Sequence, residues 1–553
     1  MNRSHASIKS KETFPVEDSV ARSYAFSHSY RKTQDRAPLD AVRPPLRYKR
    51  LEQTRRITLP GIERRLLQRQ TLSQIFSPQK AAMSSAETPV FTDLSWLSTL
   101  LYFNLGGIQI DLSGGIMPLI VHRPFPSPGS LYASELSIYL PERAGIAEGL
   151  YHYHGLHHDL SLLRGQEARP ALEQAIGQSL ADAEAVLLVG SDLWRIVQKY
   201  ANFGYRLVSL EAGHLIANLL IVASALGLEG RVHYLFDDDA LLDCLGVPAL
   251  QEAVLAVVPL YRRGSCPPLQ VDWHDTAPQR LAAVSGIWRT SSGMAQPQAG
   301  QVCELEQEIR KESGSVMLAR RGAGSIQQAG VALAHTPEQE SAIPLPPPAA
   351  DETLLTAYQQ RNSGLVGFHG LAAKPTPVPL NILSYILTHI FVPYHSDLSL
   401  SATFPADIRL LLFSNHVQNL APVAYEALPH ERQGAALVPS MPGRYPLTAF
   451  GYRDTMNTST LGMVWGIVAN YDEVLAQYGT RGYRIVNMQA GFLAQRLCLL
   501  SAAQQLFARP FCAFQEQDFD AWLHLEESSE QIIYTVLSGY NRVKPLRFTI
   551  FAD

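Results

Sequence analysis

Apolar residues recur at helical spacing from Leu207 to Leu228, a stretch long enough for a buried helix. The apolar run within it, Leu215 to Leu228, is 14 residues long and includes Asn218 and Ser224. That is short of the roughly 20 residues a bilayer crossing needs, so it predicts a core helix and excludes the membrane classes. Leu136–Leu140 and Arg409–Phe413 are short β-like runs. Each is followed by a turn and a second short run, near Gly149–Tyr153 and Val423–Tyr425, and QIIYTVLSGYNR near the C-terminus is also strand-like. Helices with a few strands predict an α+β fold.

The pattern also repeats. Tyr200, Gly204, Tyr205, Arg206, Ala212 and Gly213 recur as Tyr478, Gly482, Tyr483, Arg484, Ala490 and Gly491, each 278 residues later. Arg69 and Phe76 are echoed by Arg361 and Phe368 at an offset of 292. Ungapped agreement at six positions points to a tandem duplication, and two equal copies imply an intramolecular pseudo-dimer. Between them the pattern thins into SSGMAQPQAGQ and RRGAGSIQQAG and ends in the cluster Pro344–Pro348, the composition of linker and irregular surface. The expected organisation is a basic arm at 1–60, a first domain at 61–265, a linker or irregular insertion at 266–349, and a second, degenerate copy at 350–553.

A length of 553 residues allows two to four domains, and 46% hydrophobic with 17% charged residues is globular composition. The net charge of −4 excludes a polycation seeking nucleic acid. It conceals an uneven distribution, however: residues 1–80 carry 17 Lys and Arg against 7 Asp and Glu. Such a basic arm either contacts an anionic partner or wraps the acidic body. Five cysteines without a CxxC pair, and an N-terminus MNRSHASIKSKETF without an apolar core, predict reduced thiols and a cytoplasmic protein.

Four features carry candidate chemistry. The turn PSPGSLYASE at 126–135 places Ser127, Gly129 and Ser130 just before a strand, where backbone N–H groups and a hydroxyl can approach an anionic or carbonyl-rich ligand. Arg69 with Thr71, and Arg361 with Asn362 and Ser363, have the form of a guanidinium fork plus a hydroxyl, suited to phosphate. Lys199 and Tyr200 are a candidate proton-transfer pair, and in the second copy Gln477 replaces the lysine. The run YHYHGLHHD holds His152, His154, His157 and His158, but no carboxylate or cysteine completes a metal site, so no metal and a solvated hairpin are expected. Asp237–Asp239 likewise reads as an exposed acidic turn before a helix. No GxGxxG, Walker loop, GxSxG or HExxH occurs.

In order and spacing, Arg69–Phe76, Pro126–Glu135, Gly149–Tyr153, Lys199–Arg206 and Glu211–Leu228 resemble the SagB/ThcOx-type dehydrogenases of the nitroreductase superfamily. HSYRKTQ at 28–34 and YKRLEQTRRITLP at 48–60 are similar to that family's N-terminal arm. The sequence departs from the family at Ser73, Pro128 and Ala133. The resemblance implies a nitroreductase-like fold and FMN, with Arg and hydroxyl groups on the phosphate and the backbone around Glu211 and Gly213 at the ring. It implies a catalytic role for Lys199 and Tyr200 in oxidising azoline rings of a peptide to thiazoles or oxazoles, beside cyclodehydratase partner proteins. A carrier-bound thiazoline, another desaturation, or nitro or quinone reduction are alternative FMN chemistries, and a flavin-free scaffold is the non-enzymatic one. Because flavin sites in this superfamily draw on both subunits of a dimer, the two copies imply one composite site. The first copy supplies Ser127, Gly129, Ser130, Lys199, Tyr200 and Glu211; the second supplies Arg361, Asn362, Ser363, Arg542, Lys544 and Arg547. Further association of pseudo-dimers is compatible with the same pattern.

Overall fold

The computed structural model describes residues 16–27 apart from 18, 49–76 apart from 53, 93–112, 120–269 apart from 144 and 248, 287–289, 300–322, and 342–399 apart from 365, 368 and 369. It also describes 404–551 apart from 405, 406, 431–433, 442–455, 526, 527 and 544–546. Phe368 and the stretch 28–34 lie outside the described residues.

The β-like runs lie in two sheets whose principal strands pair antiparallel. In the first, the strands Leu228–Val232, Glu252–Arg262, Ala185–Asp192, Ser134–Leu140, Gly149–His154 and Asp159–Arg164 are neighbours in that order. In the second, Phe507–Phe511, Glu530–Asn541, Met463–Asn470, Ile408–Ser414, Ala424–His430 and Gly434–Met441 follow the same order. The strands read as nearly continuous apolar runs because both faces are covered. Leu136, Ile138 and Leu140 enter the central core, whereas Tyr139, Leu150 and Leu188 face an outer one under the helices Ala168–Ile176 and Asp238–Leu245. In the second sheet Leu410, Leu412 and Trp465 face inward, and Leu411, Phe413 and Val464 outward, under the helix Glu516–Leu523. This is the period of two that a pleated strand imposes.

Two long buried helices, Gly204–Ala225 and Arg481–Ala503, cross between the sheets. A Cβ on Gly213 would overlap the Met488 carbonyl, and one on Gly491 would overlap the Leu210 carbonyl. Both glycines therefore serve a close backbone approach, and the contact is reciprocal. Buried arginines lock the same interface. Arg206 donates to Glu516 (3.0 Å) and the Ile533 carbonyl, while Arg484 donates to Asp238 (3.0 Å) and the Val254 carbonyl (3.2 Å). The run Leu193–Ala225 is long and apolar enough to cross a membrane, but 89% of its most apolar window is buried inside the protein.

Several expectations change. Asp238 is not exposed: it is buried beneath Arg481 and Arg484, and Asp237 caps the following helix by accepting from the Ala240 N–H. His152 and His154 are buried as well, because the hairpin lies inside the sheet rather than at its rim. Among the described residues no His, Cys, Asp and Glu cluster could hold a metal. The segment between the copies is not uniformly irregular. It contains a 23-residue helix, Gly300–Gly322, whose Glu306 accepts from Tyr205 (2.5 Å). The described part of the arm packs on the body: the helix Val20–Ser27 buries Ala21, Tyr24 and Ala25, Arg22 pairs with Asp472, and Lys49 pairs with Glu252.

Candidate functional site

The turn before the strand Ser134–Leu140 is left-handed at three positions: Gly129 (φ 58°), Ser130 (φ 55°) and Tyr132 (φ 50°). For residues with a Cβ such a conformation costs roughly 1–3 kcal/mol and persists only where its surroundings impose it. Here they do. Ser127 Oγ donates to Glu211 (2.5 Å) and accepts from the Tyr132 N–H (2.8 Å), and the second Glu211 oxygen accepts from the Ser134 N–H (2.8 Å). From the opposite side Arg195, held by Glu135 (2.8 Å), donates to the Tyr132 carbonyl (2.6 Å). Over this turn lie the ends of Lys199 and Tyr200. A Cβ at Gly129 would stand 2.5 Å from the lysine Nζ and 2.9 Å from the tyrosine hydroxyl, so a larger residue there would displace both side-chain ends.

A cationic cluster from the second half adjoins it. Arg361 is 3% exposed and donates to the Arg123 carbonyl (3.0 Å), and Arg123 in turn lies over the Tyr132 ring. Arg547 donates to the Arg361 carbonyl (3.2 Å) and to Asp111 (3.1 Å). Arg509 donates to the carbonyls of Ser363 (2.7 Å) and Gly364 (3.2 Å), and Asn362 accepts from the Gly364 N–H and from Asn541. Burial and then repulsion from Arg547 bring Arg509 down to about 10. Burial lowers Arg547 and His122 too, and Arg361 adds its repulsion to both. Arg123, Arg361, Arg509 and Arg547 thus bring four guanidiniums into one neighbourhood, where Asp111 pairs with Arg547. Arg361 Nε is buried without a hydrogen-bond partner among the described residues. A buried cationic surplus with an orphaned donor fits a phosphate, which is the anionic end of FMN.

The structure does not bring all the predicted residues together. Arg69 is exposed, and Thr71 is paired with Thr353. Arg542 is exposed, and Lys544 lies outside the described residues. Gly213 sits in mid-helix against Met488, so Glu211-Ala212-Gly213 is not a turn and its glycine serves helix packing. At the counterpart of the first-half site, Gln489 stands in place of Glu211 and donates to Asp407 (3.0 Å), and Phe404 packs edge-on against Phe391 (4.6 Å). Nearby, Ser73 is tied to His389 (2.9 Å) and to Asp351. Sequence reasoning missed Arg123, Tyr132, Arg195 and Arg509. Arg509 had a signal, since it repeats Arg231 at the same offset of 278; the others carry none outside the fold.

Residues 372–540 match the nitroreductase family. That match falls on the half that motif content reads as degenerate. A curated relative from Methanocaldococcus jannaschii, described as a nitroreductase, is 28% identical over 146 residues, covering 26% of this chain and 71% of its own. A solved structure described as a nitroreductase, from Anabaena variabilis, is 19% identical and superposes with a TM-score of 0.67 over 95% of this chain and 100% of that chain. The fold is nitroreductase-like and α+β, and the chain carries a nitroreductase-family domain.

Proposed function

We propose that this chain is an FMN-dependent oxidoreductase with one composite flavin site, and that it dehydrogenates azoline rings of a peptide to azoles. In this reading the halves arose by tandem duplication and now divide the site between them. The observation that carries it is the junction at Arg123 and Tyr132, where the second half's cationic cluster meets the first half's strained turn. Arg361, Arg509 and Arg547 would hold the phosphate with Asn362 and Ser363. Ser127 and Glu211 take up the Tyr132 and Ser134 N–H groups and keep the turn in shape beneath Lys199 and Tyr200, where the flavin ring would lie. FMN, when bound, supplies a two-electron acceptor for hydride. Lys199 and Tyr200, whose ends both lie over Gly129, would take the proton alpha to the substrate carbonyl. The azoline substrate and the cyclodehydratase partners rest on the motif resemblance, and the cytoplasmic location rests on the cysteine usage.

The test is to release and quantify cofactor from purified protein and then to add an azoline-containing peptide. One FMN per chain, with loss of two hydrogens from the peptide and no turnover in Lys199→Ala that still binds flavin, is the expected result. Two FMN per chain removes the composite single site. Flavin without azoline turnover moves the substrate to another class. Absence of flavin even after soaking with FMN leaves a scaffold.

A further inference from the structure

We infer that Tyr24, on the N-terminal helix, is a positioning residue for the Lys199–Tyr200 pair, because it holds the strained turn at the end of the helix that carries them. The functional meaning of this inference rests on the role proposed for that pair.

Lys199 and Tyr200 are the last two residues of the helix Leu193–Tyr200. The next residue, Ala201, has φ 46° and ψ −135°, close to a region essentially reserved for glycine. Its equivalent in the second half is Gly479, with φ 61° and ψ −156°, where no Cβ opposes the conformation. The strained version therefore stands in the half that carries the lysine.

What holds it is asymmetric. The Tyr24 hydroxyl donates to the carbonyl of Asn202, in the turn Ala201–Phe203. The Tyr24 ring is buried and meets two equivalent tyrosines edge-on, Tyr205 at 6.3 Å and Tyr483 at 5.2 Å. It thus sits between matching residues of the two halves, yet its hydroxyl serves the turn of the first. The second half's turn is gripped differently: Glu312, from the helix Gly300–Gly322, accepts from the Thr480 N–H (2.7 Å) and hydroxyl (2.8 Å). Arg22 anchors the N-terminal helix through both oxygens of Asp472, at 2.7 and 3.2 Å. Removing the Tyr24 hydroxyl leaves the ring packing and the turn's backbone bonds (Ala201 N–H to Val197, Gly204 N–H to Ala201) in place and takes away a side-chain hold on the turn, so the Lys199 amine loses its fixed place over Gly129.

The test is brief acetylation of full-length protein with acetic anhydride, read by mass spectrometry as labelling of Lys199 relative to the exposed Lys374. In Tyr24→Phe, Lys199 labelling is expected to rise about tenfold, equivalent to 1.4 kcal/mol at 25 °C, with Lys374 unchanged. Arg22→Gln releases the same helix at a distance from the turn and should raise Lys199 labelling in the same direction. It keeps the inference testable should Tyr24→Phe fail to fold. Unchanged Lys199 labelling in the folded variants overturns the inference. The measurement needs neither flavin nor substrate, so it remains readable if the FMN reading fails. In flavin-loaded enzyme the same variants should lower kcat per bound FMN with KM unchanged, whereas a purely structural Tyr24 would lower only the yield of folded protein.

Discussion

Replacing Gly213 with alanine should destabilise the whole fold, because the Cβ it lacks would stand where the two long helices touch. A Cβ at Gly213 would lie 2.8 Å from the carbonyl carbon of Met488, and one at Gly491 would lie 2.8 Å from that of Leu210. The limiting contacts are the two carbonyl oxygens, each 2.0 Å from the added Cβ; carbon–oxygen contacts settle at about 3.3–3.6 Å, so each alanine forces the helices apart by roughly 1.3–1.6 Å. Both opposing atoms are backbone in the middle of buried helices, and no side-chain rotation relieves the overlap. Overpacking of this kind costs typically about 1–3 kcal/mol, and the rigid partner puts both variants near the upper end, about 3 kcal/mol. The assay is urea unfolding of Gly213→Ala and Gly491→Ala, followed by circular dichroism, beside FMN binding for each. The reciprocal geometry predicts nearly equal losses of stability from the two sites. A Gly213→Ala protein that unfolds like the parent but fails to bind FMN would refute the helix-packing role and return this glycine to the cofactor.

Two further outcomes follow from the charges. Arg361→Gln should weaken FMN about 10- to 100-fold in a fluorescence titration, the loss of one charge-assisted hydrogen bond, while riboflavin, which lacks the phosphate, binds equally to both proteins; a parent protein that prefers riboflavin would exclude a phosphate site at Arg361. Glu252 is pushed up to about 7 by burial, against an ordinary value of 4.5, with Lys49 opposing the shift. The folded chain therefore holds this proton more tightly than the unfolded chain, and the stability it contributes is complete below about pH 4.5 and lost as pH rises through about 7. Glu252→Gln should flatten the pH dependence of the melting temperature across that window, and an unchanged profile would show that Glu252 does not titrate there.

Much of the fold was legible because covered strands and buried helices leave strong apolar patterns. Ser134–Leu140 and Gly204–Ala225 were found within a few residues of their ends. The acidic run Asp237–Asp239 misled for a physical reason: a sequence shows the charges but not Arg481 and Arg484, which lie more than 240 residues away in the chain and bury Asp238. His152 misled similarly, since Glu135, at 3.8 Å, and the charges of Lys49 and Arg195 that surround it come from other elements of the fold. At the site, Ser127, Gly129 and Glu211 were recognisable as a motif. Arg195 was not, because its role is to hold a carbonyl of Tyr132 across the fold.

The repeated residues acquire a different meaning once the two long helices are seen to cross. Gly213 and Gly491 make the crossing, Tyr205 and Tyr483 flank Tyr24, and Arg206 and Arg484 each reach an acid on the opposite half. None of these can change in one half without a cost to the assembly as a whole. Removing one partner of a buried ion pair costs about 3–5 kcal/mol, because the other charge stays buried. Such positions are therefore held in both halves whatever the chemistry requires. The proposed composite site needs only one copy of each part, so its residues are free to diverge: Lys199 faces Gln477 in the alignment of the halves, and Glu211 faces Gln489. Tyr200 (repeated as Tyr478), Arg361 (which echoes Arg69) and Arg509 (which repeats Arg231) are exceptions. The repeat that first draws attention to this helix is mainly a record of how the halves bind each other, and the candidate lysine and the carboxylate that shapes the turn lie where the repeat breaks.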